Sequence, residues 1–510
     1  MYYIDSLLNK FTMYRLTLYY LIFLVGVAVI LGYFGLLAVN PLDLIIYSFA
    51  AVITAACANY FFAQIFGAVT NVESVFITAF ILVLIIPVSF PAGVLFIIGA
   101  SGIAMASKYL LTIEKRHLFN PAAAAVAGIA LLSPEHAATW WIGTPIMLPF
   151  VLVGGLLLIR KIRRETLAFS FLIVYLIAVV IGSITSTGTY TLIIPTLNLG
   201  VTHSPLFFFM FVMLTEPLTS PATEKLQSYY GYVTALLYAT PQLRFFNLVF
   251  TPEQALLLGN VFSYFISPNY RLLLPLKWKK QLSPDTFEFA FNKISNIKYA
   301  AGQYMEWTLP HKNIDSRGNR RYFSISSSPT ESELMVTVKF YNPSSSYKRE
   351  MIGLNEGRKI IAASLAGDFV MPDNMSTPMV FIAGGVGIAP FRSMVQYIID
   401  KKLSTNIVLF YTNRTPQDIL YADIFERAKQ NGVKTVYILT DAKSAPADWQ
   451  GKVGYISEQM IKQEVPDYVG RIHYLSGPQM MVERFQDLLK SMGVPRNLIK
   501  TDFFPGYNEK

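Results

Sequence analysis

Residues 379–391 read MVFIAGGVGIAPF and place Gly384, Gly385 and Gly387 between an apolar run and Ile388, Ala389 and Pro390. Glycine lets backbone approach a pyrophosphate closely, and a helix starting near Ala389 offers free N–H groups and a positive dipole end. A second run ends in Ser476, Gly477 and Pro478, followed by Met480. In a parallel sheet, ligands gather at the carboxyl ends of strands, where both loops would lie. Arg414, in the stretch TNRT, either meets a nucleotide 2′-phosphate or is simply solvated. Elsewhere such residues are sparse. The single cysteine, Cys57, excludes an internal disulfide, a Cys-ligated iron–sulfur cluster and a Cys-rich zinc site. His117, His136 and His203 are the only histidines before residue 277, too few for the four ligands of two haems. No metal site is expected. Asp43, Glu73 and Glu216 stand near expected helix ends, where capping is their ordinary role. Glu216, inside TEPLTSP, also suits work on a cation or a bound group.

The elements that must position these residues fall into two kinds. Of 42 Lys/Arg and 32 Asp/Glu, residues 1–276 hold only 12 and 9. Apolar runs there predict about ten membrane-spanning helices, at 16–39, 42–66, 73–89, 92–111, 119–133, 144–160, 167–185, 204–222, 230–250 and 254–276. Lys10, Arg15, the stretches 108–117 and 160–165, and Lys277, Lys279 and Lys280 then share one side, which the positive-inside rule makes cytoplasmic. The expectation is an integral protein of a membrane, the bacterial cytoplasmic membrane, with both termini and the charged half inside. The net charge of +10 is too diffuse for a nucleic-acid surface. Prolines beside polar residues interrupt the spans at FNPAA (119–123, with Asn120), IGTPIMLP (142–149, with Thr144) and TEPLTSPAT (215–223). Broken helices in lipid need protein or a cavity to satisfy their backbone.

From residue 277 the pattern changes to six short alternating strands, TFEFAFNK, QYMEWTL, RYFSIS, LMVTVKFY, KIIAASL and DFVMP, which predict an antiparallel β-barrel at 277–374. Strand–helix alternation over 375–510 predicts an α/β domain with a parallel sheet.

The order RRYFSISSSP, GGVGIAPF, YTNRTPQDILY, SGPQMMV and DFFPGY resembles the ferredoxin–NADP reductase superfamily over about residues 281–507. The resemblance implies FAD in the barrel and NADH or NADPH on the α/β domain, with hydride passing from nicotinamide to flavin. Arg321 would pair with the flavin pyrophosphate, Phe323 would lie against the isoalloxazine beside Tyr322, and Ser324 would sit near N5. Val338 and Lys339 match a further flavin-contacting strand, and Ser346 and Lys348 match its phosphate loop. Gly384, Gly385, Gly387, Ile388 and Pro390 would carry the nicotinamide nucleotide. Ser476 stands where the family usually has cysteine, and Asp502 matches an acidic residue near the nicotinamide or is a surface carboxylate.

Residues 1–276 resemble the NqrB/RnfD family, membrane components of the sodium-pumping NADH:quinone reductase and of the Rnf complex, through ESVFITAFILVLIIP, FNPAA and LTEPLTSPAT. That family carries membrane flavin, so a second flavin, FMN or riboflavin, is implied, with Asn120 and Glu216 near it. Thr144 matches a threonine that carries covalent FMN; the competing reading of TWWIGTPIML is an outer aromatic belt made by Trp140 and Trp141. The combined expectation is a transmembrane flavoprotein oxidoreductase. It would take electrons from cytoplasmic NAD(P)H to a quinone or an outward acceptor, with or without ion coupling. The alternative is a flavin or ion transporter or channel with a redox-sensing domain; a ten-helix anchor for a soluble-type reductase ranks last.

Overall fold

A computed structural model describes residues 8, 11–67, 71–113, 116–133, 138–187, 190–243, 248–267, 271–293, 297–315 and 317–502. The chain forms two compact units, Met1–Asn269 and Tyr270–Lys510.

The first unit is helical. Its main helices are α1 (Met13–Tyr33), α2 (Pro41–Phe66), α3 (Val72–Ile85), α4 (Ala92–Leu110), α5 (Pro121–Leu132), α6 (Leu148–Ile162), α7 (Glu165–Thr187), α8 (Ile193–Thr202), α9 (Leu206–Phe208), α10 (Glu224–Tyr238) and α11 (Pro252–Ile266). Each expected span overlaps helical structure, though 204–222 is helical only over 206–213, and among the described residues only four helices are long and apolar enough to cross a membrane: α1, α2, α4 and α7. Joining α8 to 206–213, bent by 56°, makes up to five. Apolar side chains such as Phe49 and Ile53 face outward while Ala51 and Ala55 of the same helix are fully buried. Helices apolar on every face belong inside a large core or a membrane. Small buried residues, Ala100 and Ala104 on α4 and Ala122 and Ala123 on α5, let those two helices approach closely.

Three expectations for this unit are corrected. Helix α8 lies in a stretch expected to be loop. The last span ends at Ile266, and residues 271–276 open a β-strand, because Leu272, Leu274 and Leu276 alternate inward in an apolar run that composition alone cannot distinguish from helix. Trp140 is buried rather than part of a lipid-facing belt: its Nε1 donates to Glu253 Oε2 (3.1 Å), and Trp141 Nε1 donates to Val83 O (3.0 Å).

The second unit holds two six-stranded sheets. The barrel strands are β1 (Arg271–Ser283), β2 (Thr286–Asn292), β3 (Tyr304–Thr308), β4 (Arg320–Ser324), β5 (Glu333–Lys339) and β6 (Lys359–Ala366), with helix α12 (Ser346–Ile352) between β5 and β6. Their antiparallel order is β4-β3-β6-β1-β2-β5, and a bridge between Ile325 and Val336 joins the two edges. The stretch DFVMP is not a strand; β1 supplies the sixth. Trp307, Phe289 and Tyr347 fill the barrel core.

The α/β part comprises β7 (Met379–Gly384), α13 (Ala389–Asp400), β8 (Ile407–Asn413), α14 (Ala422–Arg427), β9 (Val433–Leu439), β10 (Lys452–Val453), α15 (Glu458–Glu464), β11 (Ile472–Ser476), α16 (Gln479–Ser491) and β12 (Ile499–Asp502). All pairings are parallel, in the order β10-β9-β8-β7-β11-β12. The chain moves outward from β7 through β8 and β9 on one side, then returns to β11 on the other. That reversal places a ligand crevice at the carboxyl ends of β7 and β11.

Candidate nucleotide and flavin site

Strand β7 ends in the glycine turn and β11 ends at Ser476, so both sequence motifs flank the crevice. The turn is a short 3-10 segment, Gly385–Ile388, leading into α13 with Pro390 in its first turn, while the fully buried Ile388 anchors it below. Gly385 has φ +52° and nothing near the position of a Cβ, so it leaves open space over the turn. Gly387 is different: a Cβ there would lie 2.5 Å from Ser476 O and 2.6 Å from Gly477 N. The two loops are therefore in backbone contact. Met481, just inside α16, packs its sulfur against Gly384, and Pro478 immediately precedes that helix. Met480 points outward and is exposed.

On the neighbouring strand, Asp502 pairs in register with Ser476, and both are buried. Ser324 at the end of β4 donates from Oγ to Asp502 Oδ2 at 3.0 Å. Ser324, Ser476 and Asp502, from three separate stretches, thus share one spot between barrel and sheet. Phe503 and the residues of DFFPGY beyond it lie outside the described residues.

Side chains along β4 alternate. Tyr322 and Arg320 turn toward β3, where Glu306 accepts from the Tyr322 hydroxyl (2.9 Å) and from Arg320 Nη1 (3.0 Å). Arg321 and Phe323 turn toward α12. The Arg321 guanidinium lies 5.0 Å over the Tyr347 ring and donates to Arg317 O (2.8 Å) and Gly318 O (3.2 Å); Phe323 lies 6.1 Å from the same ring. The Tyr347 hydroxyl is buried and has no hydrogen-bond partner among the described residues. The half-buried Arg321 cation and Phe323 ring fit an aromatic group bearing a pyrophosphate, and the fully buried Tyr347 ring backs both. Sequence reasoning missed Tyr347, although it sits in the serine-rich stretch singled out for phosphate.

Other expected contacts are engaged elsewhere. Val338 is in the barrel core, and Lys339 pairs with Asp285 (3.1 Å) and Asp418 (3.7 Å), which hold its ammonium above the usual lysine range against the opposing effect of burial. Ser346 Oγ accepts from Asp315 N (3.0 Å) and contacts His311 Nε2 (3.0 Å), fastening the 311–315 loop to α12. Lys348 lies 4.6 Å over the Tyr341 ring. Arg414 is exposed at the end of β8, its carbonyl accepting from Asp441 N (3.3 Å) and Ser444 Oγ (3.2 Å).

A polar network fastens the barrel to the α/β part. The Tyr421 hydroxyl donates to Glu288 Oε1 (2.7 Å) and contacts Thr337 Oγ1 (2.5 Å), while Arg392 donates to Glu331 and to Ser326 O (3.2 Å). Burial pushes the Glu288 carboxyl above its ordinary range, partly offset by the Tyr421 bond and by Arg392.

In the helical unit, Asn120 and Glu216 are joined: Asn120 Nδ2 donates to Glu216 Oε2 at 2.9 Å. Thr144 follows the turn Trp141–Gly143; its hydroxyl is buried without a partner among the described residues, in a cleft with room for about one water. His136 lies outside the described residues.

A family model for the oxidoreductase NAD-binding domain matches residues 381–487. The glycine betaine monooxygenase reductase subunit of Chromohalobacter salexigens is 28% identical over 215 residues, 41% of this chain and 56% of that protein. NADH-cytochrome b5 reductase 1 of Emericella nidulans is 27% identical over 240 residues, 45% of this chain and 76% of that protein. The crystal structure of the Amycolatopsis cytochrome P450 reductase GcoB, 23% identical, superposes with a TM-score of 0.41 over 46% of this chain and 70% of that one. The chain spans just over half the length of the first of these relatives. The C-terminal half of the chain thus carries a NAD-binding domain of the ferredoxin–NADP reductase type, with its matched core at residues 381–487.

Proposed function

We propose that the second unit oxidises NADH or NADPH on a bound FAD and hands the electrons to an acceptor. The single observation that carries this reading is the Ser324–Asp502 bond, which brings the barrel strand RYFS to the nucleotide crevice of the parallel sheet. FAD, when bound, supplies a two-electron acceptor for hydride that can release electrons one at a time. Arg321 would hold its pyrophosphate, with Phe323 alongside the ring system and Tyr347 backing both from the barrel core. The turn Gly384–Gly385 and the N-terminus of α13 would bind the nicotinamide nucleotide's pyrophosphate. Asp502 fixes the Ser324 hydroxyl at the edge of the crevice, and Ser476, paired in register with Asp502, would face the nicotinamide. Positioning of this kind is worth on the order of a hundredfold in rate when lost. The test is flavin content and anaerobic bleaching by each nucleotide; Asp502→Asn should retain flavin while slowing its reduction.

The reading extends to the helical unit. Its four spanning-length helices and its resemblance to membrane electron carriers support passage through a membrane domain to a quinone or an outward acceptor. A relay of that kind calls for a second flavin, FMN or riboflavin, with Thr144 as its candidate attachment. Counting flavins per chain tests it: more than one, with all bleached by NAD(P)H, supports the relay. A single FAD with no electron transfer to an acceptor sealed outside proteoliposomes favours the transporter or channel reading.

A further inference from the structure

Two motifs of the helical unit that the reductase site leaves unused, FNPAA and TEPLTSPAT, meet in one polar cluster. Asn120 Nδ2 (2.9 Å) and Thr219 Oγ1 (3.2 Å) both donate to Glu216 Oε2. On the other side, His117 Nε2 faces Glu216 Oε1 at 3.5 Å. That nitrogen is buried and makes no hydrogen bond among the described residues. The frame behind the pair is fixed: Asn260 Oδ1 accepts from Asn120 N (2.9 Å), Asn260 Nδ2 donates to the Tyr230 hydroxyl (3.0 Å), and Asn120 Oδ1 caps α5 by accepting from Ala123 N (3.1 Å).

The donor set selects its ligand. A hard metal cation needs several oxygen ligands, and Glu216 Oε2 already accepts from two donors. The groups aimed at the carboxylate are donors. Among the described residues, no group of three or more His, Cys, Asp or Glu could hold a metal ion. What remains is an imidazole against a carboxylate in a helical unit with few other charges. Lys108 of α4 and Tyr230 of α10 lie within electrostatic reach of Glu216, and Arg164, between α6 and α7, within reach of Tyr230. With its proton on Nδ1 alone, His117 would aim a lone pair at the carboxylate. A proton on Nε2 converts the repulsion into an N–H···O contact.

We propose that His117 and Glu216 form a proton-binding site of the helical unit. One N–H bond forms at His117 Nε2, the proton coming from solvent, and no electron moves. The site goes beyond the reductase reading and stands whether or not electrons enter this unit.

Infrared difference spectroscopy of the full-length protein in lipid nanodiscs, acidic minus neutral, tests it. Imidazole and carboxylate bands should change together in the wild type. His117→Gln and Glu216→Gln should each remove the same pair of imidazole and carboxylate components from the wild-type difference spectrum. Glu216→Asp, which keeps a carboxyl, should retain a displaced carboxylate band, separating loss of the group from loss of the fold. A Glu216→Gln spectrum identical to wild type overturns the proposal, as does a Glu216→Asp spectrum lacking the band.

Discussion

Ser324 and Asp502 lie 178 positions apart in the chain and are bonded at 3.0 Å. Replacing Ser324 with alanine, or Asp502 with asparagine, should slow flavin reduction by NAD(P)H roughly ten- to a hundredfold with flavin content unchanged; stopped-flow absorbance measures it. Loss of flavin from either variant would instead make the pair a structural tie. Glu288 allows a second prediction. Its folded carboxyl binds a proton more tightly than the unfolded one, chiefly through burial. The stability that this confers is therefore fully present below the ordinary carboxylate pKa and is lost as pH rises through the folded value. Glu288→Gln, which cannot ionise, should gain Tm over wild type towards neutral pH, and the gain should close on acidification. A difference in Tm independent of pH contradicts this.

At the scale of elements, the glycine turn separates two kinds of substitution. Gly387→Ala drives a methyl into the backbone of Ser476 and Gly477, so it should lower Tm and weaken nucleotide binding together. Gly385→Ala meets open space and costs only about 1–2 kcal/mol for its left-handed backbone. It should fold, yet raise the KM for NAD(P)H several-fold by filling space the pyrophosphate needs; thermal melts beside steady-state kinetics separate the two. These elements were legible in the sequence where the information is local. Apolar runs closed by Gly384 or Gly477 marked parallel strands, and their loops had to share one edge of the sheet. Less local features were not legible. Residues 271–276 looked like the end of a helix because a short apolar run fits either period, and Trp140 looked like an interfacial belt because its partner, Glu253, lies 113 residues away. Tyr347 was hidden because nothing in NPSSSYKREM shows that its ring lies under Arg321. The meeting of Asn120 with Glu216 needed the helix packing, although each motif stood out alone.

At the scale of the molecule, a charge-poor helical unit precedes a reductase-type unit in one chain. A relay through the helices predicts flavin in excess of one per chain and reduction of an acceptor enclosed on the far side of proteoliposomes; one flavin and no such reduction removes the relay while leaving the reductase site intact. The central claim is narrower: the second unit takes electrons from a nicotinamide nucleotide onto FAD. Anaerobic titration of the purified full-length protein with NADH and with NADPH, followed by flavin absorbance, tests it most directly. Bound FAD should be bleached by one equivalent of at least one nucleotide. Protein that binds no FAD, or FAD that neither nucleotide bleaches, contradicts it.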